Sequence, residues 1–252
     1  MGALHAGHIS LVHHARGRDG TVVVSVFVNP TQFNDREDLR QYPRTPESDL
    51  EMLRAAGADV VFMPSEEEIY PEPDSRTFDF GLLDKVMEGT TRPGHFNGVA
   101  QVVSRLFDLV RPARAYFGEK DFQQVAVVRE MVCQLSIPVE IVALPTVREV
   151  DGLAMSSRNA LLTKAQRAAA PLIYKALLAG TARIGKMQPS EVERFVTDMI
   201  DSDPALGVIY FNLANRRTLE RISDWTAAAD GVQGCVAVRA GNVRLIDNLR
   251  FL

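Results

Sequence analysis

Thr21-Val22-Val23-Val24-Ser25-Val26-Phe27-Val28-Asn29-Pro30 is the stretch whose reading decides the fold. Its β-branched residues run with almost no polar interruption, the pattern of a parallel strand covered on both faces. Asn29-Pro30 stops it. Further on, Asp59-Val60-Val61-Phe62-Met63 repeats the pattern and ends at Pro64. Between them, after Tyr42-Pro43-Arg44-Thr45-Pro46, the sequence predicts a helix from about Glu47 to Ala56, closed by Gly57. Strand, helix, strand in that order is the βαβ unit of a parallel sheet.

Working outward, Ile9, Leu11, Val12 and Ala15 fall mostly on one helical face, which predicts a helix starting near His8. On the other side, Tyr70 to Gly94 is irregular. Val99 to Val110 reads as a helix, Arg114 to Phe117 as a strand, Phe122 to Leu135 as a helix and Val139 to Leu144 as a strand. Residues 1–147 are therefore expected to form a doubly wound, Rossmann-like α/β domain. In that architecture ligands bind beyond the carboxyl ends of the strands. Asn29 to Gln32, Gly118 to Asp121 and Thr146 to Arg158 all follow strands, so one shared site is expected.

From Ala165 the composition shifts to alanine-rich helix, broken at Gly180, Gly185 and Pro189, with Ser190 capping a helix from Glu191 to Asp201. Val208 to Leu213, Cys235 to Val238 and Val243 to Ile246 read as strands, and Gly241-Asn242 as a hairpin turn. Residues 148–252 are expected to form a smaller C-terminal α+β domain.

The chain has 252 residues, 46% hydrophobic and 24% charged, an ordinary globular balance with length for a real core. Its net charge of −4 argues against a general nucleic-acid or membrane surface, so an anionic ligand needs a local cluster of donors. Cys133 and Cys235 form neither a disulfide framework nor a metal pattern, which fits a reducing cytoplasm. No apolar run reaches the length of a membrane span, and no signal peptide is visible. His13 and His14 read as helix surface.

Three stretches carry chemistry. In Met1-Gly2-Ala3-Leu4-His5-Ala6-Gly7-His8 two histidines sit three apart at a helix start, where free amides and the dipole suit a phosphate, and Gly7 lets a ligand reach the backbone. Solvated histidines on a helix cap explain the same residues. Gly118-Glu119-Lys120-Asp121 places a cation and two carboxylates after a strand: lysine neutralises phosphate, and a carboxylate holds a ribose hydroxyl or metal-bound water. A charged turn with a surface ion pair is the alternative. Met155-Ser156-Ser157-Arg158 offers hydroxyls and a guanidinium to phosphate oxygens, or a plain helix N-terminus with serine as cap. Gln32 and Gln124 suit a small hydroxylated substrate, and Arg92 adds a cation in the Arg92-Pro93-Gly94-His95 loop.

Taken together, the histidine pair, the lysine after a strand and the Ser-Ser-Arg loop resemble the adenylate-forming nucleotidyltransferases. Residues 1–8, 27–33, 42–45, 117–124, 145–149 and 151–159 are similar, in order, to the pantothenate synthetase (pantoate–β-alanine ligase) family, with a weaker likeness at Leu245-Ile246-Asp247-Asn248. The resemblance implies an ATP-dependent ligase that condenses pantoate with β-alanine through a pantoyl-adenylate. It implies that Met1 to His8 contact ATP, with His8 a proton donor and His5 beside it on the phosphates. Gly118, Glu119, Lys120 and Asp121 would contact the nucleotide, Val147 would pack near adenine, and Met155, Ser156, Ser157 and Arg158 would close over the phosphates as a lid. Gln32 and Gln124 would hold pantoate, with Gln32 also near β-alanine. Magnesium would arrive with ATP, since no ligand cluster of metal-site spacing is visible. A homodimer is implied by the family, while the stretch Ala56-Gly57 to Met63 fits either an apolar dimer edge or a buried strand. The competing expectations are another adenylyltransferase of the same superfamily, or a nucleotide-binding form without catalysis.

The chain departs from the family at one place: a hydrophobic strand and a Pro-Thr turn before the methionine matched by Met1 are absent. In a doubly wound sheet that strand is central, and its neighbours would lie about 10 Å apart, too far to hydrogen-bond. Three outcomes are expected to be open: a natural start further upstream, closure by repacking, or filling by another chain.

Overall fold

α1 (Ala6–Arg16) leads into β1 (Val23–Ser25), and the chain returns through α2 (Arg36–Gln41) and α3 (Pro46–Ala55) to β2 (Val60–Phe62). The computed structural model describes residues 2–34, 36–227 and 229–252, so the ATP contact expected of Met1 lies outside the described residues. β1 and β2 are parallel, with Val23 opposite Val60 and Ser25 opposite Phe62, and the βαβ unit read from Thr21 to Met63 is formed. The proline at the start of α3 suits a first helical turn, and Gly57 beyond its end takes φ +82°.

α1 begins at Ala6 rather than His8. His5 is its extended N-cap, which places His8 inside the first turn. After α4 (Glu66–Ile69) and α5 (Glu88–Thr91), α6 (His95–Val110) starts ahead of the apolar periodicity because Gly94, at φ +80°, turns the chain into it. β3 (Arg114–Gly118), α7 (Phe122–Gln134) and β4 (Glu140–Leu144) follow, with β3 and β4 parallel.

The fold is mixed α/β, with parallel strands first and an antiparallel sheet at the C-terminal end. Among the described residues the parallel strands are hydrogen-bonded as two pairs, β1–β2 and β3–β4, and no ladder joins the pairs. Closure of the expected vacancy by direct pairing of β1 with β3 is therefore not seen there. Side chains span the pairs instead. Tyr116 of β3 packs against the core of Leu4, Val12, Val22, Val24 and Leu53. Asp19, after α1, accepts a hydrogen bond from the Tyr116 hydroxyl and another from Arg114 at 2.7 Å.

The chain divides into two units, Met1–Glu119 with Gln123–Val147, and Lys120–Phe122 with Arg148–Leu252. The sequence placed Lys120 to Phe122 with the N-terminal part. In the second unit α8 (Lys164–Ala169), α9 (Leu172–Thr181) and α10 (Pro189–Asp201) precede β5 (Gly207–Asn215), β6 (Val232–Ala240) and β7 (Val243–Arg250). The three strands form one antiparallel sheet in the order β5-β6-β7. Ile173, Leu177, Val192, Val196 and Ile200 of the helices share a core with Leu213, Val236 and Val238 of the sheet. Two local expectations are corrected. The helical break falls at Ala170-Pro171, while Gly180 stays inside α9, where an added Cβ would lie 2.7 Å from Val196. Ser190 does not cap α10: Gln188 does, and its N–H donates to Glu191 at 2.8 Å. Among the described residues no helix is long and apolar enough to cross a membrane.

The Asp19 carboxyl sits below the usual carboxylate range, held there first by the Tyr116 hydroxyl and then by Arg114. A depressed folded value contributes stability above the unfolded pKa of about 3.9 that is lost as pH falls through the folded one. Thermal melting of wild type and Asp19→Asn should therefore differ most near neutrality. The gap should narrow below about pH 4, and a gap independent of pH would contradict the tie.

Candidate functional site

The first unit carries the histidine pair where a short loop runs into α1, with His5 as N-cap and His8 in the first turn. Ala3 takes φ +48°, and its N–H and that of Leu4 donate to the Asp49 carboxylate at 3.0 and 2.7 Å. Asp49 is 1% exposed and also accepts from the Thr45 hydroxyl at 3.0 Å. Sequence reading missed Asp49. Its signal was an acid on the same stripe of α3 as the buried Leu53. Gly2 is buried, and an added Cβ would lie 3.2 Å from Val28.

His5 and His8 are brought together, with ring centroids 4.0 Å apart. The His5 N–H donates to Nδ1 of His8 at 3.4 Å. In the neutral ring an accepting Nδ1 puts the proton on Nε2, which makes that atom a donor.

The turn after β1 is fixed by Asn29, 2% exposed. Its amide donates to the Gly98 carbonyl at 3.0 Å, and its Oδ1 accepts from the Tyr70 hydroxyl at 2.9 Å. Pro30–Gln32 then forms a single 3-10 turn pressed onto α6 at Gly98, where a Cβ would lie 2.7 Å from the Gln32 nitrogen. The Gln32 carbonyl accepts from Nδ1 of His95 at 2.8 Å. Arg92 stands 3.2 Å from His95 Nε2 and 3.6 Å from Glu88. Because guanidinium only donates, Nε2 accepts and the His95 proton sits on Nδ1. Arg92, expected as a cation in its loop, is engaged by the buried Glu88 carboxylate. Of the two neighbouring glutamines on α7, Gln123 is buried and donates to the Leu83 and Val86 carbonyls, each at 2.8 Å. Gln124 is half-buried.

The Gly118–Asp121 segment passes from one unit to the other after Glu119. Gly118, Glu119 and Val147 belong to the first unit and are half-buried. In the second, the Lys120 ammonium lies 3.4 Å from the Asp121 carboxylate, so the charged-turn alternative describes part of what is there. Met155, Ser156, Ser157 and Arg158 are half-buried. Ser156 Oγ accepts the Arg158 N–H at 3.3 Å and caps the 3-10 turn Ser157–Leu161. Capping uses a lone pair on oxygen, so the Ser156 O–H keeps its capacity to donate. Arg148 and Asp247 form a two-bond ion pair at 2.6 and 2.9 Å, and burial pushes the Asp247 carboxyl up against the pull of Arg148.

A family model described as Pantoate-beta-alanine ligase matches residues 1–250. The chain belongs to the pantoate–β-alanine ligase family. A pantothenate synthetase of Porphyromonas gingivalis is 55% identical over 251 residues, which cover 100% of this chain and 89% of the relative. The crystal structure of pantothenate synthetase from Thermus thermophilus matches with a TM-score of 0.94 and 48% identity, over 100% of this chain and 91% of that one. A pantoate–β-alanine ligase from Francisella tularensis, solved with β,γ-ATP and β-alanine, matches with a TM-score of 0.83 and 34% identity, covering 100% and 87%. This member of the ligase family is an enzyme that joins pantoate to β-alanine.

For such a ligase the two loops of the first unit matter most where their backbones are pinned. Asp49→Ala removes the acceptor of two amides and a hydroxyl. It should cost about 2–4 kcal/mol in urea unfolding and raise KM for ATP. An unchanged KM would separate Asp49 from the histidine loop.

Proposed function

We propose that the ligase works through a pantoyl-adenylate formed from ATP. The pantoate carboxylate attacks the α-phosphorus, the bond to the bridging oxygen of the β-phosphate breaks, and pyrophosphate leaves. The β-alanine amine then attacks the acyl carbon, AMP departs with the bonding electron pair, and the amine proton goes to solvent or to AMP. The protein's task is to position the reactants and stabilise phosphate charge. His8 carries this best: its Nδ1 accepts the His5 N–H, so Nε2 bears a proton for a phosphate oxygen.

His5, Lys120 and Arg158 add positive charge or donors to the phosphates, and Ser156 and Ser157 add hydroxyls. Gly2 to Gly7, Gly118, Glu119, Asp121, Val147 and Met155 line the nucleotide. Gln32 and Gln124 hold pantoate, with Gln32 near β-alanine. ATP and β-alanine as ligands are supported by the Francisella tularensis relative, whose structure was solved with β,γ-ATP and β-alanine. Magnesium comes with the triphosphate and neutralises its charge. Among the described residues no three His, Cys, Asp or Glu side chains group as a metal cage. A cytoplasmic setting is supported by two free cysteines, Cys133 and Cys235.

The enzyme acts as a homodimer in this proposal. Val60, 48% exposed, and Met63, 39% exposed, offer an apolar surface at β2. Val60→Glu should shift sedimentation towards the monomer, and an unshifted profile would remove β2 from the interface. Isotope exchange between pyrophosphate and ATP should require pantoate and should fall about 100-fold or more in Lys120→Ala. Exchange without pantoate would point to an adenylyltransferase instead.

A further inference from the structure

Arg148 and Asp247 do more than pair. The guanidinium also donates to the Gly152 carbonyl at 3.1 Å and to the Asn248 carbonyl at 3.2 Å, and it lies over the Tyr174 ring at 3.8 Å. Gly152, at φ +95°, is pressed so close that an added Cβ would lie 2.6 Å from Tyr174. Asp247 Oδ1 accepts the Asn248 N–H at 2.7 Å, which orients the next side chain along β7. The Asn248 amide then donates to the Lys120 carbonyl at 2.9 Å, and its Oδ1 accepts from Gln233 at 2.6 Å. Asp247, Asn248 and Gln233 are each 5–6% exposed.

A buried ion pair with amides around it is weak evidence for stability, since well-packed apolar groups often serve as well. What the polar hub supplies is direction. One arm ends on the carbonyl of Lys120. The other ends on Gly152, and Leu153 and Ala154 lead from there to the Met155–Arg158 loop, with Arg148 bridged to Ala154.

We propose that Asn248 is a positioning residue for the ligase reaction: its amide fixes the turn that carries the Lys120 ammonium, from the hub by which Arg148 holds the base of the Ser156–Arg158 loop. The role given to Lys120 here rests on the function proposed above. A main-chain carbonyl only accepts, so any change that removes the Asn248 donor releases the turn.

Asn248→Ala should lower kcat for pantothenate formation about tenfold, as expected when a charged group is misplaced by a fraction of an ångström. KM for β-alanine should stay within about twofold. The deciding measurement is the double variant. In a Lys120→Ala background the same substitution should change kcat less than about twofold, because the group it positions is gone. Losses that multiply, or an Asn248→Ala enzyme with full kcat, would overturn the proposal. Where the alanine variant fails to fold, Asn248→Asp keeps the shape, loses the donor and serves in its place. Hydrogen exchange at the amides of Lys120–Phe122 should speed up about tenfold in either variant as the turn opens, and unchanged exchange would overturn the proposal without reference to turnover. A wild-type chain that forms no pantothenate would count against the ligase function alone, and the exchange result would still decide whether Asn248 holds the turn.

Discussion

Loops that leave a strand carry amides and carbonyls with no ladder partner, and near the core those groups must be satisfied from within. In this protein buried and half-buried polar side chains do it. Asp49 takes the amides of Ala3 and Leu4, Asn29 takes the Gly98 carbonyl, Arg148 takes that of Gly152, and Asn248 takes that of Lys120. Asp49, Arg148 and Asn248 reach groups outside their own element, and Asn29 ties its own turn to α6. The loops that carry the ligase's motifs keep their shape because of these few side chains.

The same constraint decides which polar side chains are engaged within the fold. Gln123 gives its amide to two carbonyls while Gln124 stays half-buried beside it. Arg92 and His95 both donate to the Gln32 carbonyl, and Glu88 pairs with Arg92. Ser156 caps its own turn, yet a hydroxyl that accepts a backbone N–H still has a proton to give. Structural and functional explanations of one residue are therefore not exclusive.

The parallel strands form two separate pairs among the described residues, and side chains reach from one pair to the other. Tyr116 reaches the core beneath β1, and Arg114 and Tyr116 both reach Asp19. Such contacts are fewer and more directional than a row of backbone hydrogen bonds. The Asp19 carboxyl sits below the usual carboxylate range because of these contacts.

The βαβ start, the helical and strand segments and the C-terminal hairpin were legible in the sequence, because apolar periodicity and turn residues act over a few positions. The histidine, Lys120 and Ser-Ser-Arg motifs are likewise short-range patterns, readable as motifs from a few neighbouring residues. Tertiary structure alone decided the rest. It moved Lys120 to Phe122 into the second unit and made Pro171 rather than Gly180 the helical break. It also turned Asp49, Asn29, Arg148 and Asn248 into anchors. A hydrogen bond between groups 45, 69 or 128 residues apart leaves no local trace in either partner's neighbours. Short-range preference writes the elements into the chain, whereas the partner of a buried polar group exists only once packing has excluded water.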